Sequence, residues 1–406
     1  MKTIKIKDLG RTVTGHTPPT SESKYYGDYM PFVKPTDIDK DSKFTYNPEQ
    51  YYSIEAAEKY RTSLIPKGST CVVCIGTIGE KMTMAHCDMY TNQSINSIIP
   101  SSSFDPDYVY YLLKYNLGKV KALNKGTASG REFVSKSTFL EMEVQIHEDL
   151  QTQRQIGRLL SAYDDLIELN LKQIALIEEA TQRLFRQWFV DFRFPGYESR
   201  LFTNGLPLGW STQKFVDVFS FVRGKSYTSQ ELSDSKGVLM ANLKNIRAFG
   251  GYKRNEEKRF LGAFKENQTL SPGDVVMGVT DMTQERRLVG HVAIVPDLKE
   301  PMTFSMDLIK LLPKIVSRNY LYSVFFYGGL SKMVSPFANG VNVLHLKPDS
   351  MMGLEMVVPD DKTLQLYDSV FEPYRIEIEA LQEQNQNAIA ARDLLIPRLF
   401  SGEIII

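Results

Sequence analysis

The stretch Gln151–Asp191, QTQRQIGRLLSAYDDLIELNLKQIALIEEATQRLFRQWFVD, decides how the rest of the chain is read. Ile156, Leu160, Tyr163, Ile167, Ile174, Ile177, Leu184 and Trp188 fall on an alternating four-three spacing, and Asn170 and Thr181 fill the two remaining positions of the same seam. That period is a heptad, and a heptad needs a second helix against it. With no Pro and no Gly after Gly157, the run predicts one helix of about 40 residues, about 60 Å long.

The partner is in the same chain. Leu364, Tyr367, Phe371, Tyr374, Ile378, Leu381, Asn385, Ala388, Arg392, Leu395 and Leu399 repeat the spacing, so a second long helix is expected there. Each seam carries an Asn near its middle, Asn170 and Asn385. A buried Asn costs stability but fixes register, because a slip leaves its amide without a polar partner. The two helices are therefore expected to pair antiparallel with these residues near the centre. Separate packing of each helix on its own globular neighbour is the simpler reading for one seam; two matched seams favour the pair.

Outward from the helices, the two halves of the chain repeat each other. Lys5-Ile6-Lys7-Asp8-Leu9 answers Lys214-Phe215-Val216-Asp217-Val218, and Pro66-Lys67-Gly68-Ser69 answers Ser271-Pro272-Gly273-Asp274. Tyr108-Val109-Tyr110 answers Tyr320-Leu321-Tyr322, Leu140-Glu141-Met142 answers Leu354-Glu355-Met356, and Arg183-Leu184-Phe185 answers Arg398-Leu399-Phe400. The offset drifts as it would in a duplication with altered loops. Strand-type runs such as Ser69–Ile75 and Ile95–Ile99, with a short helix at Tyr108–Leu117, make each copy an α+β domain around a curved, mainly antiparallel sheet. The expected order is a domain at 1–150, a long helix at 151–193, a Pro/Gly-rich linker at 194–210, a second domain at 211–360 and a second long helix at 361–406. Antiparallel pairing would turn the duplication into a pseudo-two-fold.

At 406 residues the chain exceeds what one core usually supports. Its 42% apolar and 11% aromatic content is that of a folded globular protein. Met1-Lys2-Thr3-Ile4 is no charged leader, and no apolar run approaches the roughly 18 residues of a membrane span, so a cytoplasmic protein without a membrane partner is expected. Cys71, Cys74 and Cys87 fit a reducing compartment better than a disulfide framework. Net charge is zero, 48 basic against 48 acidic residues, so the chain lacks the basic excess of a protein that grips phosphates alone. A neutral DNA reader requires partners that share the phosphate clamp; a neutral scaffold requires none.

Ordered along the chain, Gly15-His16-Thr17-Pro18, Val33-Lys34-Pro35-Thr36-Asp37-Ile38, Gly76-Thr77-Ile78-Gly79, Asn92-Gln93-Ser94-Ile95 and Gly126–Gly130 precede the long helix. It closes on Phe189-Val190-Asp191-Phe192, followed by Pro195-Gly196 and Leu206-Pro207-Leu208-Gly209-Trp210. Over nearly its whole length the chain resembles the specificity subunit of Type I restriction-modification systems. The resemblance implies two target recognition domains, each reading half of a bipartite DNA site, and two helical spacers that dock two methyltransferase subunits, with restriction/translocase subunits completing the complex. It places catalysis, S-adenosylmethionine, ATP and Mg on those partners, with no cofactor in this chain. The second copy departs at Val279-Thr280-Asp281-Met282, where the Gly-Thr-Ile-Gly pattern is missing, so that loop's role is not carried over.

Base reading calls for Arg or Lys at guanine and Asn or Gln at adenine, delivered on loops. In the first domain the candidates are Thr17, Lys34, Thr36, Gly76, Thr77, Ser129 and Arg131. In the second they are Arg223, Lys225, Asn242, Lys244, Arg286, Arg287, Asn339 and Asn342. For any one of them a plain solvated surface residue is the better reading, and only the set carries weight. No catalytic residues are expected: there is no Asn-Pro-Pro-aromatic or Asp-Pro-Pro-aromatic run, no phosphate loop, and no ligand or triad spacing among His16, His86, His147, His291 and His345. Cys71-Val72-Val73-Cys74 has a zinc-like spacing, but three residues apart on a strand the thiols face opposite ways, so buried structural thiols and no metal are expected. Pro359-Asp360-Asp361-Lys362 resembles a nuclease cluster but sits where a helix cap belongs. The alternative from another class is a coiled-coil adaptor that joins two proteins without reading DNA; an enzyme with an unrecognised site is a third.

Overall fold

The structure, a computed structural model, describes residues 1–124 and 132–406. It divides into two compact units, Met1–Gln173 with Leu381–Ile406, and Ile174–Ala380. The first unit contains β1 (Lys2–Lys5), β2 (Gly10–Thr14), β3 (Tyr26–Gly27), β4 (Met30–Val33), β5 (Gln50–Tyr52), β6 (Thr70–Val73), β7 (Met82–Met84), β8 (Tyr90–Thr91), β9 (Ile95–Pro100) and β10 (Glu143–Ile146). One sheet has the order β2-β9-β6-β7 and is antiparallel throughout; a second, β3-β5-β4-β8, pairs β4 with β8 in parallel, and β1 with β10 forms a separate ladder.

Why β6 lies at the centre follows from its sequence. Thr70-Cys71-Val72-Val73 has no charge and is buried on both faces. Val72 and Cys74 point into a core with Tyr108, Leu112 and Leu113 of the helix Pro106–Tyr115, whereas Cys71 and Val73 join Val13, Val33 and Ile95 on the opposite face. The thiols thus occupy different cores, and burial pushes Cys71 up to about 12 and Cys74 to about 11. Pro106 at the first helical turn and the Asp105 carboxylate, which accepts from the Tyr108 N–H at 2.9 Å, start the helix at a fixed point.

The second unit rebuilds this plan. A hairpin of β11 (Phe202–Thr203) and β12 (Leu206–Pro207) precedes β13 (Ser211–Lys214), β14 (Phe219–Arg223), β15 (Leu232–Ser233), β16 (Val238–Ala241), β17 (Lys258–Phe260) and β18 (Thr269–Leu270). Then follow β19 (Val275–Gly278), β20 (Thr280–Asp281), β21 (Val292–Ile294), β22 (Met302–Phe304), β23 (Leu308–Pro313), β24 (Leu344–His345) and β25 (Glu355–Val358). The order β14-β23-β19-β21 repeats β2-β9-β6-β7, the parallel pair β16·β22 repeats β4·β8, and β13·β25 repeats β1·β10. Even turn geometry recurs: Gly68 and Gly273 both take φ +84°, which a β-carbon would strain.

Leu150–Phe185 is one α-helix, continued by a π-helical turn at Arg186–Val190, and Asp361–Phe400 is another. Within the first unit Asn170 Nδ2 donates to Asn385 Oδ1 and to Gln384 Oε1, each at 2.8 Å, and Arg392 pairs with Asp164. Within the second, Tyr367 packs on Trp188 and Phe189, with ring centroids 5.9 and 4.9 Å apart. Numbers rise along one helix as they fall along the other, so the pairing is antiparallel. Asp360 caps the second helix, accepting from the Thr363 N–H at 2.9 Å.

Several expectations need correction. The compact units do not end at the helix boundaries, because helix ends belong to domain cores: Ile156, Leu160, Leu399 and Phe400 to one, Phe185, Trp188, Leu364 and Tyr367 to the other. The Pro/Gly-rich stretch 194–210 is packed at both ends: Phe194 and Trp210 are buried and stack at 5.2 Å, with Trp210 Nε1 donating to Asp360. Tyr374 is exposed although its spacing put it in the seam. It follows Pro373, which lacks the N–H that would bond the Ser369 carbonyl and so perturbs the local turn.

Candidate nucleic-acid interface

In the first unit a single turn, Asn92-Gln93-Ser94, gathers the candidate loops. The Asn92 N–H donates to the Val33 carbonyl at 3.2 Å, beside Lys34; the Ser94 carbonyl accepts from the Cys74 N–H at 2.8 Å, beside Gly76. The Thr17 hydroxyl donates to Gln93 Oε1. The turn at Lys34–Asp37 is closed by the Lys34 N–H donating to Asp37 at 2.7 Å, and Lys81 Nζ ties it to the next loop by donating to the Pro35 carbonyl at 2.9 Å. Thr36 and Thr77 are exposed, and Gly76 at φ +92° has open space where a β-carbon would stand. Thr17, Lys34, Thr36, Gly76 and Thr77 therefore lie along one loop edge. Lys34 is also paired with Glu49 at 2.7 Å, an ion pair that holds the Glu49 carboxyl below its ordinary range. Ser129 and Arg131 fall outside the described residues.

The second unit repeats three backbone hydrogen bonds of this edge, with Ser305-Met306-Asp307 as the gathering turn. The Lys225 N–H donates to Phe304 O as His16 does to Thr91 O, Ser305 to Ala241 O as Asn92 does to Val33 O, and Val279 to Asp307 O as Cys74 does to Ser94 O. The loops carrying Arg223, Lys225, Asn242 and Lys244 thus meet here. Thr280 pairs with His345 and Asp281 with Leu344, which puts the Met282–Arg287 loop beside the Asn339–Asn342 loop. Gln284 Nε2 joins the two by donating to the Val341 carbonyl at 2.7 Å.

Availability differs among the candidates. Lys244, Arg287, Asn339 and Asn342 are exposed, Lys225 and Arg286 are half-buried, and Arg223 is exposed but paired with Asp349 at 2.8 Å. Arg287 pairs with Glu285. Asn242 is a correction: it is buried, its amide donates to Asn245 Oδ1 and the Glu256 carbonyl, and its oxygen accepts from the Lys244 N–H. It shapes the Lys244 turn and has no donor left for a base. Sequence reading passed over Gln93, Lys81 and Asp281. Gln93 stood inside a family-like motif, whereas Asp281 had no signal apart from the break in the glycine pattern.

Beside the second edge an open depression of about 550 Å³ is lined by Pro336, Phe337, Asn339, His345, Lys347 and Ser350. Among the described residues no group of three or more His, Cys, Asp or Glu side chains is arranged to hold a metal, and no helix is long and apolar enough to cross a membrane.

A family model described as the Type I restriction modification DNA specificity domain matches residues 1–179. The MjaIX specificity subunit of Methanocaldococcus jannaschii is 26% identical over 427 residues, which span 98% of this chain and 92% of that protein. Residues 1–179 thus match a Type I specificity domain, and the chain is similar along its length to a Type I specificity subunit. The HindI specificity subunit of Haemophilus influenzae is 34% identical over 142 residues, 34% of this chain and 30% of that protein. A crystal structure of a Type I S subunit from M. genitalium has the same fold at 14% identity, with a TM-score of 0.57 over 98% of this chain and 96% of that one.

Proposed function

We propose that this chain is the DNA-recognition subunit of a Type I restriction-modification complex, in which each domain reads one half of a bipartite, asymmetric site. The observation that carries the reading is the duplicated loop edge, built on the same hydrogen bonds but carrying different side chains in the two copies. Two equal scaffolds with unequal loops suit two unequal half-sites. A coiled-coil adaptor would have no use for such an edge.

The chain itself supplies recognition and no catalysis. Two methyltransferase subunits and restriction/translocase subunits supply the S-adenosylmethionine, ATP and Mg chemistry and share the phosphate clamp that a chain of zero net charge lacks. Leu159, Leu169 and Leu394 in the first unit, and Leu176 and Ile376 in the second, are exposed apolar side chains on the long helices that partner subunits would cover. The test is to co-express the chain with its methyltransferase subunits and map methylated adenines across a genome. A split motif with a constant gap is expected; methylation without a two-part motif would refute the reading.

A further inference from the structure

The two copies form the loop after their central strand by different means. Cys74-Ile75-Gly76 occupies the place of Val279-Thr280-Asp281: the Val134 N–H donates to the Cys74 carbonyl as the Leu346 N–H donates to the Val279 carbonyl, and Ile75 bridges Phe133 as Thr280 bridges His345. In the first copy Gly76 turns the chain at φ +92°, and three residues later Gly79 packs against the helix Leu117–Ala122, where a β-carbon would lie 2.5 Å from Lys121 Cβ. In the second copy the matching close approach is at Gly290, φ +79°, against Ser331 and Ser335. Two residues separate Gly76 from Gly79, but eight separate Asp281 from Gly290. The added residues are held by one side chain. The Asp281 carboxylate is wholly buried and accepts from the Thr283 N–H and hydroxyl, both at 2.8 Å, from the Leu288 N–H at 2.6 Å and from the Val289 N–H at 3.2 Å.

Between those anchors the loop presents Met282, Gln284, Arg286 and Arg287. Met282 is 77% exposed, and Val341, whose carbonyl receives Gln284, is 87% exposed, so two bare apolar side chains stand on the same edge as two guanidinium groups. Arg286 has no carboxylate partner among the described residues. Guanidinium donors beside apolar groups suit the major groove, where Arg bonds guanine and apolar side chains meet the thymine methyl. We propose that Asp281 is the positioning residue that presets the Met282–Arg287 loop, making this loop the specificity-determining edge for one half-site and no other. The proposal rests on the DNA-recognition reading above.

Asp281→Asn tests it. Asparagine keeps an oxygen for Thr283 but turns an NH2 toward the N–H groups of Leu288 and Val289, opposing donor to donor. In methylation mapping of the co-expressed complex, one half of the motif is expected to relax, with discrimination at its contacted bases falling roughly 5- to 150-fold, while the other half and the gap stay as in the parent. A purely structural role would lower methylation without this asymmetry and would overturn the proposal, as would unchanged stringency in both halves. Should Asp281→Asn fail to fold, Arg286→Gln with Arg287→Gln decides, because neither residue lies in a core: relaxation confined to one half supports the proposal, and no relaxation overturns it. A parent complex that methylates no split motif would refute the DNA reading itself, and this inference with it.

Discussion

Arg392 is the largest fully buried side chain, with no exposed surface, in a helix seam that otherwise calls for apolar residues. Its guanidinium pairs with Asp164 and donates to Asp393 at 2.9 Å and to the Asp41 carbonyl at 3.3 Å, while the Tyr111 hydroxyl donates to the other Asp164 oxygen. Nearby, Lys43, itself buried, reaches Asp107 at 2.5 Å and Ser161 at 2.8 Å. This cluster fastens the helix pair of the first unit to its sheet domain. Removing one member of a buried pair leaves the other charge desolvated, so Arg392→Leu is expected to cost about 3–5 kcal/mol in urea unfolding. Arg392→Leu with Asp164→Leu should recover much of that loss; equal losses in the single and double variants would show that the pair is not the fastening.

The helices illustrate what a sequence discloses about elements. Seam positions were legible because heptad spacing depends only on the chain's own period, and Asn170 with Asn385 stood out as polar breaks in it. Asp164 was not legible: it lies one residue off the seam, and only the Tyr111 helix packed above gives it a place. The loop edges were partly legible. Lys34 and Gly76 sat in turn-forming motifs, but Asn242 looked like a base reader until its burial assigned it to its own turn, and Asp281 gained meaning only from its match to Gly76. Behind that loop His291 is 95% buried, and burial, the largest influence, holds its imidazole below the ordinary value of 6.5 despite hydrogen bonds with the backbone of Phe249 and Arg286. A folded-state value below the unfolded one means the unfolded chain takes up the proton first. The stability His291 contributes is therefore full above about pH 6.5 and declines as the pH falls through and below that value. Burial shifts His86 and His147 the same way. Urea midpoints are expected to fall between pH 7.5 and 5.5, and His291→Gln should flatten part of that slope; a midpoint that rises on acidification would contradict the assignment.

At the scale of the whole molecule the question is what two paired helices do for two readers. If they set the gap between half-sites, their length is the variable that matters, and the antiparallel register says which residues to remove together. Asn170 faces Asn385, so 171–177 on one helix stands against 378–384 on the other. Deleting both segments removes one heptad from each helix, preserves the Asn170–Asn385 bond and shortens the pair by about 10 Å at 1.5 Å per residue. At about 3.4 Å per base pair that amounts to roughly three base pairs of the gap. Deleting 171–177 alone shifts every later seam position out of register and should abolish methylation. A doubly shortened chain that still methylates its parent motif with an unchanged gap would mean that partner subunits or the DNA, and not this helix pair, measure the distance.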